Sequence, residues 1–244
     1  MSATTEILKL DARGVARDNV MYMNVGLSFV GMVVITIIGY FKGDTDWARW
    51  FPFLVIMALI TNAPGYGFLF GLLMVDERDT GVRGALAVTP VPQAQMLIVR
   101  TISSIVLLLT WPLITVYVMN ATWQAVHLQF HEWFALAAVL ALIGPVTALS
   151  VASYASNKVE ALALFKGINM LCLAPLALYF IPADAAYRAI FLALPTAWAV
   201  FGFDALRAGD PAAWIWLAGG AVFNLALLGA SIWWYLRTIY KDAA

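Results

Sequence analysis

Long apolar runs separated by short polar stretches dominate the pattern of this chain. A helix needs roughly 20 predominantly apolar residues to cross a hydrocarbon core about 30 Å thick, where every lipid-exposed backbone group must be bonded within its own segment. The runs therefore predict an all-α integral membrane protein. Six predicted transmembrane helices cover residues 20–41, 51–75, 96–119, 133–155, 161–182 and 212–236.

Two apolar stretches need separate interpretation. The fifth predicted span carries Lys166 about one turn inside, where a long stem lets the ammonium reach the headgroups. The run from 189 to 203 is only about 22 Å long as a helix, and Pro195 breaks its hydrogen-bond ladder. We therefore predict a re-entrant hairpin over residues 186–205, between spans five and six, instead of a seventh crossing.

The first 19 residues have the pattern of an amphipathic helix. Lys9, Arg13 and Arg17 recur every four positions, and apolar residues such as Leu8 and Val15 occupy the neighbouring face. We predict that residues 1–19 lie in the cytoplasmic interface with the basic stripe toward anionic headgroups. A solvated leader is the alternative.

The distribution of Lys and Arg predicts the orientation, because cytoplasmic loops are enriched in both. Six spans with both ends inside place ten of the fourteen Lys and Arg residues on the inner side, whereas seven spans would move Arg237 and Lys241 outside. A composition of 63% hydrophobic and 11% charged residues fits a multi-pass membrane protein, which we expect in the inner (plasma) membrane. The inner set is Lys9, Arg13, Arg17, Arg78, Arg83, Arg100, Lys158, Lys166, Arg237 and Lys241.

A charged island, Asp76-Glu77-Arg78-Asp79-Thr80-Gly81, follows the second predicted span directly. Thr80 is a residue type that caps helix N-termini, and two prolines follow about ten residues later. The sequence predicts a short helix from about residue 81 to 88 inside a cytoplasmic loop at 76–95. Such a helix can dock into a groove on another protein, and a solvated loop is the alternative.

The island also carries a family resemblance. With Leu86 and Thr89-Pro90-Val91-Pro92 after it, the island resembles the Glu-Lys/Arg-Glu-x-Gly-Thr…Leu…Thr-Pro-Val signature of ABC type-2 transporter permeases, with the order of Thr and Gly exchanged. These drug-export-like subunits of bacterial exporters begin with an amphipathic helix. They have six spans with both ends inside and a re-entrant hairpin between spans five and six. The elements predicted here follow the same order over nearly the whole chain.

The resemblance implies that two permease chains, identical or related, form the translocation path and that separate ATPase subunits bind ATP and Mg. This chain has no Gly-rich loop ending in Gly-Lys-Ser/Thr, so we expect no enzymatic activity and no cofactor of its own. The bilayer is its other expected partner, and no nucleic acid is expected. The resemblance assigns coupling to the ATPase to Asp76, Glu77, Arg78, Asp79, Thr80, Gly81, Arg83 and Leu86.

Cargo contacts are expected from polar or backbone-breaking residues inside the predicted spans, since such residues are costly in lipid unless they find partners. Hydrogen bonding between helices is the alternative role for the asparagines. An apolar chamber favours export of a hydrophobic or amphiphilic drug-like or lipid-like molecule, and a polysaccharide or other polar cargo is the alternative. The predicted pathway residues are Thr61, Asn62, Tyr66, Trp111 and Asn169.

Two other classes of protein are weighed against the permease. A metal-binding membrane enzyme would have to use His127, His131 and Glu132, but this set lacks an HExxH-type arrangement, so no metal site and no catalytic residue is expected. A non-transporting accessory subunit would share the same topology. Only a transport measurement separates it from a permease.

Overall fold

The computed structural model describes residues 3–42, 50–81, 93–122 and 126–241, and within these ranges every regular element is helical. The predicted all-α fold class is therefore confirmed. Two 3₁₀ helices in this part of the chain are Ala174–Phe180 and Ala186–Ala193. The α-helices described are α1 (Ala3–Arg17), α2 (Asn19–Lys42), α3 (Phe51–Asp79), α4 (Gln93–Thr122), α5 (Phe130–Ala141), α6 (Ile143–Tyr154), α7 (Lys158–Leu173), α8 (Ala197–Ala208) and α9 (Ala213–Lys241).

Five helical stretches in the described ranges are long and apolar enough to cross a membrane. They correspond to predicted spans two to six. Helix α2 coincides with the first predicted span, and its 24 residues give it a length of about 36 Å. The five stretches are Phe51–Asp79, Gln95–Val118, Phe130–Tyr154, Lys158–Phe180 and Ala213–Thr238.

The predicted loop at 76–95 is shorter than expected. Helix α3 continues through Asp79 and α4 already begins at Gln93, so both ends of the predicted loop are helical. The continuation of α3 has a physical reason, because the charged side chains in its last turn find partners on other helices. Residues 82–92 lie outside the part of the chain that the structure describes.

The fourth predicted span, 133–155, is divided into α5 and α6 at Leu142. Pro145 explains the break, since a proline has no backbone N–H and its ring clashes with the carbonyl four residues earlier, here Ala141. At the other end, the Gln129 N–H donates to the Glu132 carboxylate (2.6 Å), which forms a capping box for α5. Glu132 therefore has a structural role at this helix start.

Close packing of α3 against α6 forms the centre of the bundle. A Cβ on Gly67 would overlap the carbonyl of Gly144, and one on Gly71 would come within 2.9 Å of the Ala148 carbonyl oxygen. Small residues four apart on both helices thus let the two backbones touch. Most residues in the apolar stretch of α3 are buried, whereas most residues in the stretches that contain α4, α7 and α9 are not.

Aromatic contacts fix the register of the other helices. Phe68 stacks on Phe165 of α7 (4.3 Å between ring centroids), and the ring centroid of Phe53 lies 5.8 Å from that of Phe180, in the 3₁₀ helix that follows α7. Helix α3 therefore runs antiparallel to α7 and this 3₁₀ helix. Helix α9 runs parallel to α5–α6, with His131 against Trp214 at one end and Tyr154 against Trp234 at the other. We call the end that holds Asp76, Arg100 and Lys158 the charged end, and the end that holds Trp50, Phe130 and Trp214 the aromatic end.

Residues 194–196 break the chain between the second 3₁₀ helix and α8, at the proline singled out in the sequence. The Thr196 hydroxyl donates to the Cys172 carbonyl of α7 (2.6 Å), and Thr196 is fully buried. Asn224 of α9 donates to the Val139 carbonyl of α5 (3.0 Å) and to that of Pro195 (3.5 Å). Two of these hydrogen bonds hold the break, called here the Pro195 tip, against α7 and α9, and the third joins α9 to α5.

Candidate coupling site at the charged end of α3

Three consecutive side chains at the end of α3 contact three different elements. Asp76 pairs with Lys158 at the start of α7 (2.9 Å). Glu77 accepts hydrogen bonds from Arg100 on α4, one of them at 2.8 Å. Arg78 donates to the carbonyls of Ala152 (3.3 Å) and Ala155 at the end of α6. The last turn of α3 therefore joins α4, α6 and α7.

Arg100 is the centre of a buried ion-pair cluster. Its guanidinium donates to both carboxylate oxygens of Asp11 on α1 (3.1 and 2.7 Å) and to both oxygens of Glu77. Arg100 is 4% exposed and Asp11 is 6% exposed, so the charges are shielded from solvent. Two-pronged contacts of this kind match the planar guanidinium and fix geometry as well as adding energy. We call Asp11, Glu77 and Arg100 the Arg100 triad.

A second bridge lies beside the Arg100 triad. The Lys158 ammonium contacts Asp18, between α1 and α2, and Asp76 of α3, each at 2.9 Å. Because Lys158 is 40% exposed, this bridge contributes less energy than a buried pair, although it still links three elements. Asn157 caps α7 by accepting from the N–H groups of Val159 and Glu160 and thereby fixes the helix start from which Lys158 extends.

The exposed part of the predicted coupling segment begins only at Asp79. Asp79, Thr80 and Gly81 are exposed, whereas Asp76, Glu77 and Arg78 are partly buried. The prediction that Thr80 caps the start of a following helix is not what the structure shows: Thr80 lies at the C-cap of α3, and its hydroxyl donates to the Asp76 carbonyl (2.7 Å). Gly81 follows at φ 72°, the left-handed conformation in which glycine commonly ends a helix. Arg83 and Leu86 lie outside the described residues.

The structure brings together only two of the predicted pathway residues. Tyr66 and Trp111 meet edge to face (6.2 Å between centroids) and are both buried between α3 and α4. Thr61 is exposed and donates to the Met57 carbonyl within its own helix (2.7 Å), and Asn62 is half-buried. Asn169 is half-buried on α7, and its buried Oδ1 has no hydrogen-bond partner among the described residues.

The residues set aside in favour of a metal site have other surroundings. His131 stacks on Trp214 (5.7 Å, 7° between planes), His127 is exposed, and Glu132 caps α5. Within the described ranges, no three His, Cys, Asp or Glu side chains come close enough together to hold a metal ion.

Sequence reasoning missed the partners of the charged island. From the sequence, Arg100 and Lys158 are predicted only as inner-side cations, and no role is assigned to Asp11 or Asp18. One signal was available: Arg100 lies inside the predicted span 96–119, where a cation that is permanently charged requires an acidic partner. The sequence does not identify that partner, because Asp11 is far away along the chain.

Five membrane-length helices in the described ranges, with buried ion pairs at one end, define a multi-pass membrane protein. The model of the family described as "Fluoroquinolones export permease protein Rv2686c-like" matches residues 11–232. The chain belongs to this family of export permeases, which indicates a transport subunit. The resemblance to drug-export-like permeases of the ABC type is thereby confirmed.

Two curated relatives have the same description. They are the fluoroquinolones export permease proteins MT2760 and Rv2686c of Mycobacterium tuberculosis, from strains CDC 1551 / Oshkosh and ATCC 25618 / H37Rv. Each is 29% identical to this chain over 188 residues, which cover 75% of this chain and 71% of the relative. The similarity to each relative thus extends over about three quarters of this chain.

Proposed function

We propose that this chain is the membrane permease of an ATP-driven exporter in the inner membrane and that it moves a hydrophobic or amphiphilic small molecule out of the cytoplasm. Separate ATPase subunits bind ATP and Mg and supply the energy, and a second permease chain completes the path. Family membership supports the permease role, and the names of the relatives favour drug-like cargo such as fluoroquinolones.

The proposed topology has six spans, with α2 as the first and both termini in the cytoplasm. The placement of α1 supports it, because Asp11 and Asp18 contact the charged end, where the last turn of α3 and the starts of α4 and α7 also lie. Helix α9 finishes at the same end, as the contact of Trp234 with Tyr154 indicates. The charged end is then the cytoplasmic end.

A re-entrant path for residues 186–205 is part of this proposal. The Pro195 tip contacts Asn224, which lies about 16 Å along α9 from its first residue at 1.5 Å per residue. The chain would therefore enter from the aromatic end, turn at the Pro195 tip and return along α8. The burial of Thr196 and Asn224 supports this depth.

The observation that carries the coupling proposal is the set of contacts made by the last turn of α3. A force that an ATPase applies to the segment 76–95 reaches α4, α6 and α7 through side chains that already hold them. Helix α1 is included through Asp11. In this mechanism Asp79, Thr80 and Gly81, followed by Arg83 and Leu86, face the partner, and Asp76, Glu77 and Arg78 pass the movement inward.

The cargo path is proposed to run along polar and aromatic positions of α3, α4 and α7. Thr61 and Asn62 offer polar groups on the part of α3 before Asp76, which is mostly apolar, and Asn169 has an unused buried acceptor. Tyr66 and Trp111 are both buried, so in this proposal they form a rigid aromatic backing for the path and do not line it directly.

Affinity purification of the tagged chain from its native membrane, with mass spectrometry and an ATPase assay on the eluate, tests this function. We expect a nucleotide-binding subunit and vanadate-sensitive hydrolysis to co-purify. The same complex in proteoliposomes should move a fluoroquinolone in an ATP-dependent way. Recovery of the chain without any ATPase would contradict the proposal and favour an accessory subunit.

A further inference from the structure

Lys166 lies deeper in its helix than the sequence predicts. Helix α7 begins at Lys158, so Lys166 is about 12 Å along the axis at 1.5 Å per residue, more than two turns from the helix start. The neighbouring Phe165 stacks on Phe68, which precedes Asp76 of α3 by eight residues, or about 12 Å along the helix axis. Lys166 is therefore at the level of the bundle interior, well separated from the charged end.

The side chain of Lys166 points away from the bundle. Ala163, Lys166, Gly167 and Met170 are exposed and follow one another at helical spacing, and we call them the Lys166 face. A Cβ on Gly167 would meet nothing within 4 Å, and Met170 is 73% exposed. Among the described residues, Lys166 has no acidic partner within salt-bridge distance.

The described membrane-length helices of a second copy do not offer an acid at that depth either. Acidic residues of the described membrane-length helices stand only at their ends, as Asp76 does on α3, Glu132 on α5 and Glu160 on α7. The Glu160 carboxylate already accepts from the Ser156 N–H (2.7 Å). An ionisable residue inside a membrane normally pairs with an opposite charge or faces a cavity, so the counter-ion of Lys166 has to come from a different molecule.

We propose that the Lys166 face is a cargo subsite that binds the carboxylate of an anionic or zwitterionic amphiphile. This inference rests on the proposed export function and specifies its cargo class. Lys166 supplies the charge complementary to the carboxylate, Gly167 leaves room for a flat ring beside the helix, and Met170 provides an adaptable apolar contact. The depth favours cargo over a lipid headgroup, because about 12 Å of helix separates Lys166 from the charged end and the lysine stem is shorter than that.

The test compares a fluoroquinolone, which bears a carboxylate, with its methyl ester, which lacks that charge. Binding of each to the purified chain is measured by tryptophan fluorescence, and transport of each is measured in proteoliposomes with the ATPase partner. We expect Lys166→Met to lower the acid-to-ester affinity ratio about tenfold, a change worth 1.4 kcal/mol, and Lys166→Arg to leave that ratio within about twofold of wild type. Met170→Leu, on the same face, should change both ligands alike.

Each outcome decides the proposal. An acid-to-ester ratio that falls with Lys166→Met and returns with Lys166→Arg supports the subsite. An unchanged ratio shows that Lys166 reaches lipid headgroups instead, and an equal loss for both ligands shows a structural role; either result overturns the subsite. If the wild-type complex transports neither ligand, the export function fails separately, and the binding ratio still decides the role of Lys166. Lys166→Gln provides a second neutral variant if the methionine variant does not fold.

Discussion

At the residue scale, the Arg100 triad shows how a permanent charge is accommodated inside the bundle. The guanidinium uses its planar fork on two carboxylates, so that each charge has a partner. A buried ion pair contributes little net stability compared with a well-packed apolar group, but removal of one partner leaves the others uncompensated. The main effect of the Arg100 triad is therefore to fix the position of α1 against α3 and α4, and its net contribution to stability is small.

Replacement of Arg100 by methionine should destabilise the chain by about 3 kcal/mol, because Asp11 and Glu77 would face each other without a cation. Equilibrium unfolding in mixed detergent micelles measures the change. Adding Asp11→Asn and Glu77→Gln to Arg100→Met should recover part of the loss, since the repulsion disappears. Arg13→Met is the control, because Arg13 is exposed on the same α1. Equal effects of the two single substitutions would contradict this role for the triad.

Asp204 leads to a prediction about pH. Burial raises the pKa of its carboxyl above the ordinary value of 3.8, although the Tyr179 hydroxyl donates to it (2.8 Å) and Arg207 lies nearby. With a native pKa above the unfolded one, the unfolded state loses its proton first, so stability falls as pH rises between the two values.

Asp204→Asn removes this titration and keeps an acceptor for Tyr179. The difference in melting temperature, Asp204→Asn minus wild type, should therefore be smallest or most negative near pH 4 and increase toward pH 7. Thermal unfolding in detergent at several pH values measures it, with exposed Asp184→Asn as the control. A difference that does not vary with pH would show that folding does not raise the pKa of the Asp204 carboxyl.

At the element scale, small residues and buried polar groups decide how helices meet. Glycines at 67, 71 and 144 bring α3 and α6 into backbone contact, and the Pro195 tip is held by Thr196 and Asn224. The glycine contact and the hydrogen bonds of the Pro195 tip both lie where the surrounding helix surfaces are apolar. Since apolar surface does not drive association within lipid, close packing and hydrogen bonds have to provide the specificity.

Gly67→Ala tests the close approach of α3 and α6. The added methyl would overlap a backbone carbonyl, which cannot move aside as a side chain can, so we expect a loss of about 1–3 kcal/mol as for overpacked cores. Gly229→Ala is the matched control, because a Cβ there meets nothing within 4 Å. Unfolding in mixed micelles compares the two, and similar stability of both variants would rule out tight packing at Gly67.

The Pro195 tip can be tested with a natural reporter, because Cys172 is the single cysteine of the chain. Cys172 is 2% exposed and its carbonyl accepts from Thr196. Thr196→Val removes that hydrogen bond at nearly constant shape, so labelling of Cys172 by a membrane-permeant maleimide should become several-fold faster. Thr110→Val, which removes a bond within one exposed helix, should leave the rate unchanged. No acceleration with Thr196→Val would show that this bond does not hold the tip closed.

At the scale of the whole molecule, ion pairs at the charged end connect helices that are far apart in the sequence, so that a force applied there would act on several helices together. Asp11, Asp18, Asp76, Arg100 and Lys158 connect the N-terminal helix to helices from both halves of the sequence. The aromatic end is joined mainly by ring contacts. We infer that movement begins at the charged end and that the helices carry it through the membrane.

Arg83→Ala and Asp79→Ala should uncouple ATP hydrolysis by the partner from transport while leaving insertion and stability intact. Glu77→Ala is a less clean test than the sequence implies, because it also breaks the Arg100 triad. ATPase and transport rates of the reconstituted complex are measured together, and melting temperatures check the fold. Proportional loss of both rates, or no loss, would argue against a coupling role for these two positions.

The parts of the structure that the sequence predicts correctly rest on local signals. Apolar runs give the helices, and Pro195 gives the position of a break. The division at Leu142 was missed although Pro145 is visible, since a proline inside a long apolar run is often tolerated in membrane helices. Pairings such as Asp11 with Arg100 depend on how distant segments lie side by side, and a single sequence contains no direct record of that.

The positions of the ionic partners along the chain also bear on how the protein is made. Asp11, Glu77 and Arg100 all belong to the first part of the sequence, so their buried pairing can form once the third span has left the ribosome. Asp18 and Asp76 have to wait for Lys158, which is synthesised much later. During biogenesis, the N-terminal helices would thus be joined by the Arg100 triad first, and the later helices would pack against them afterwards.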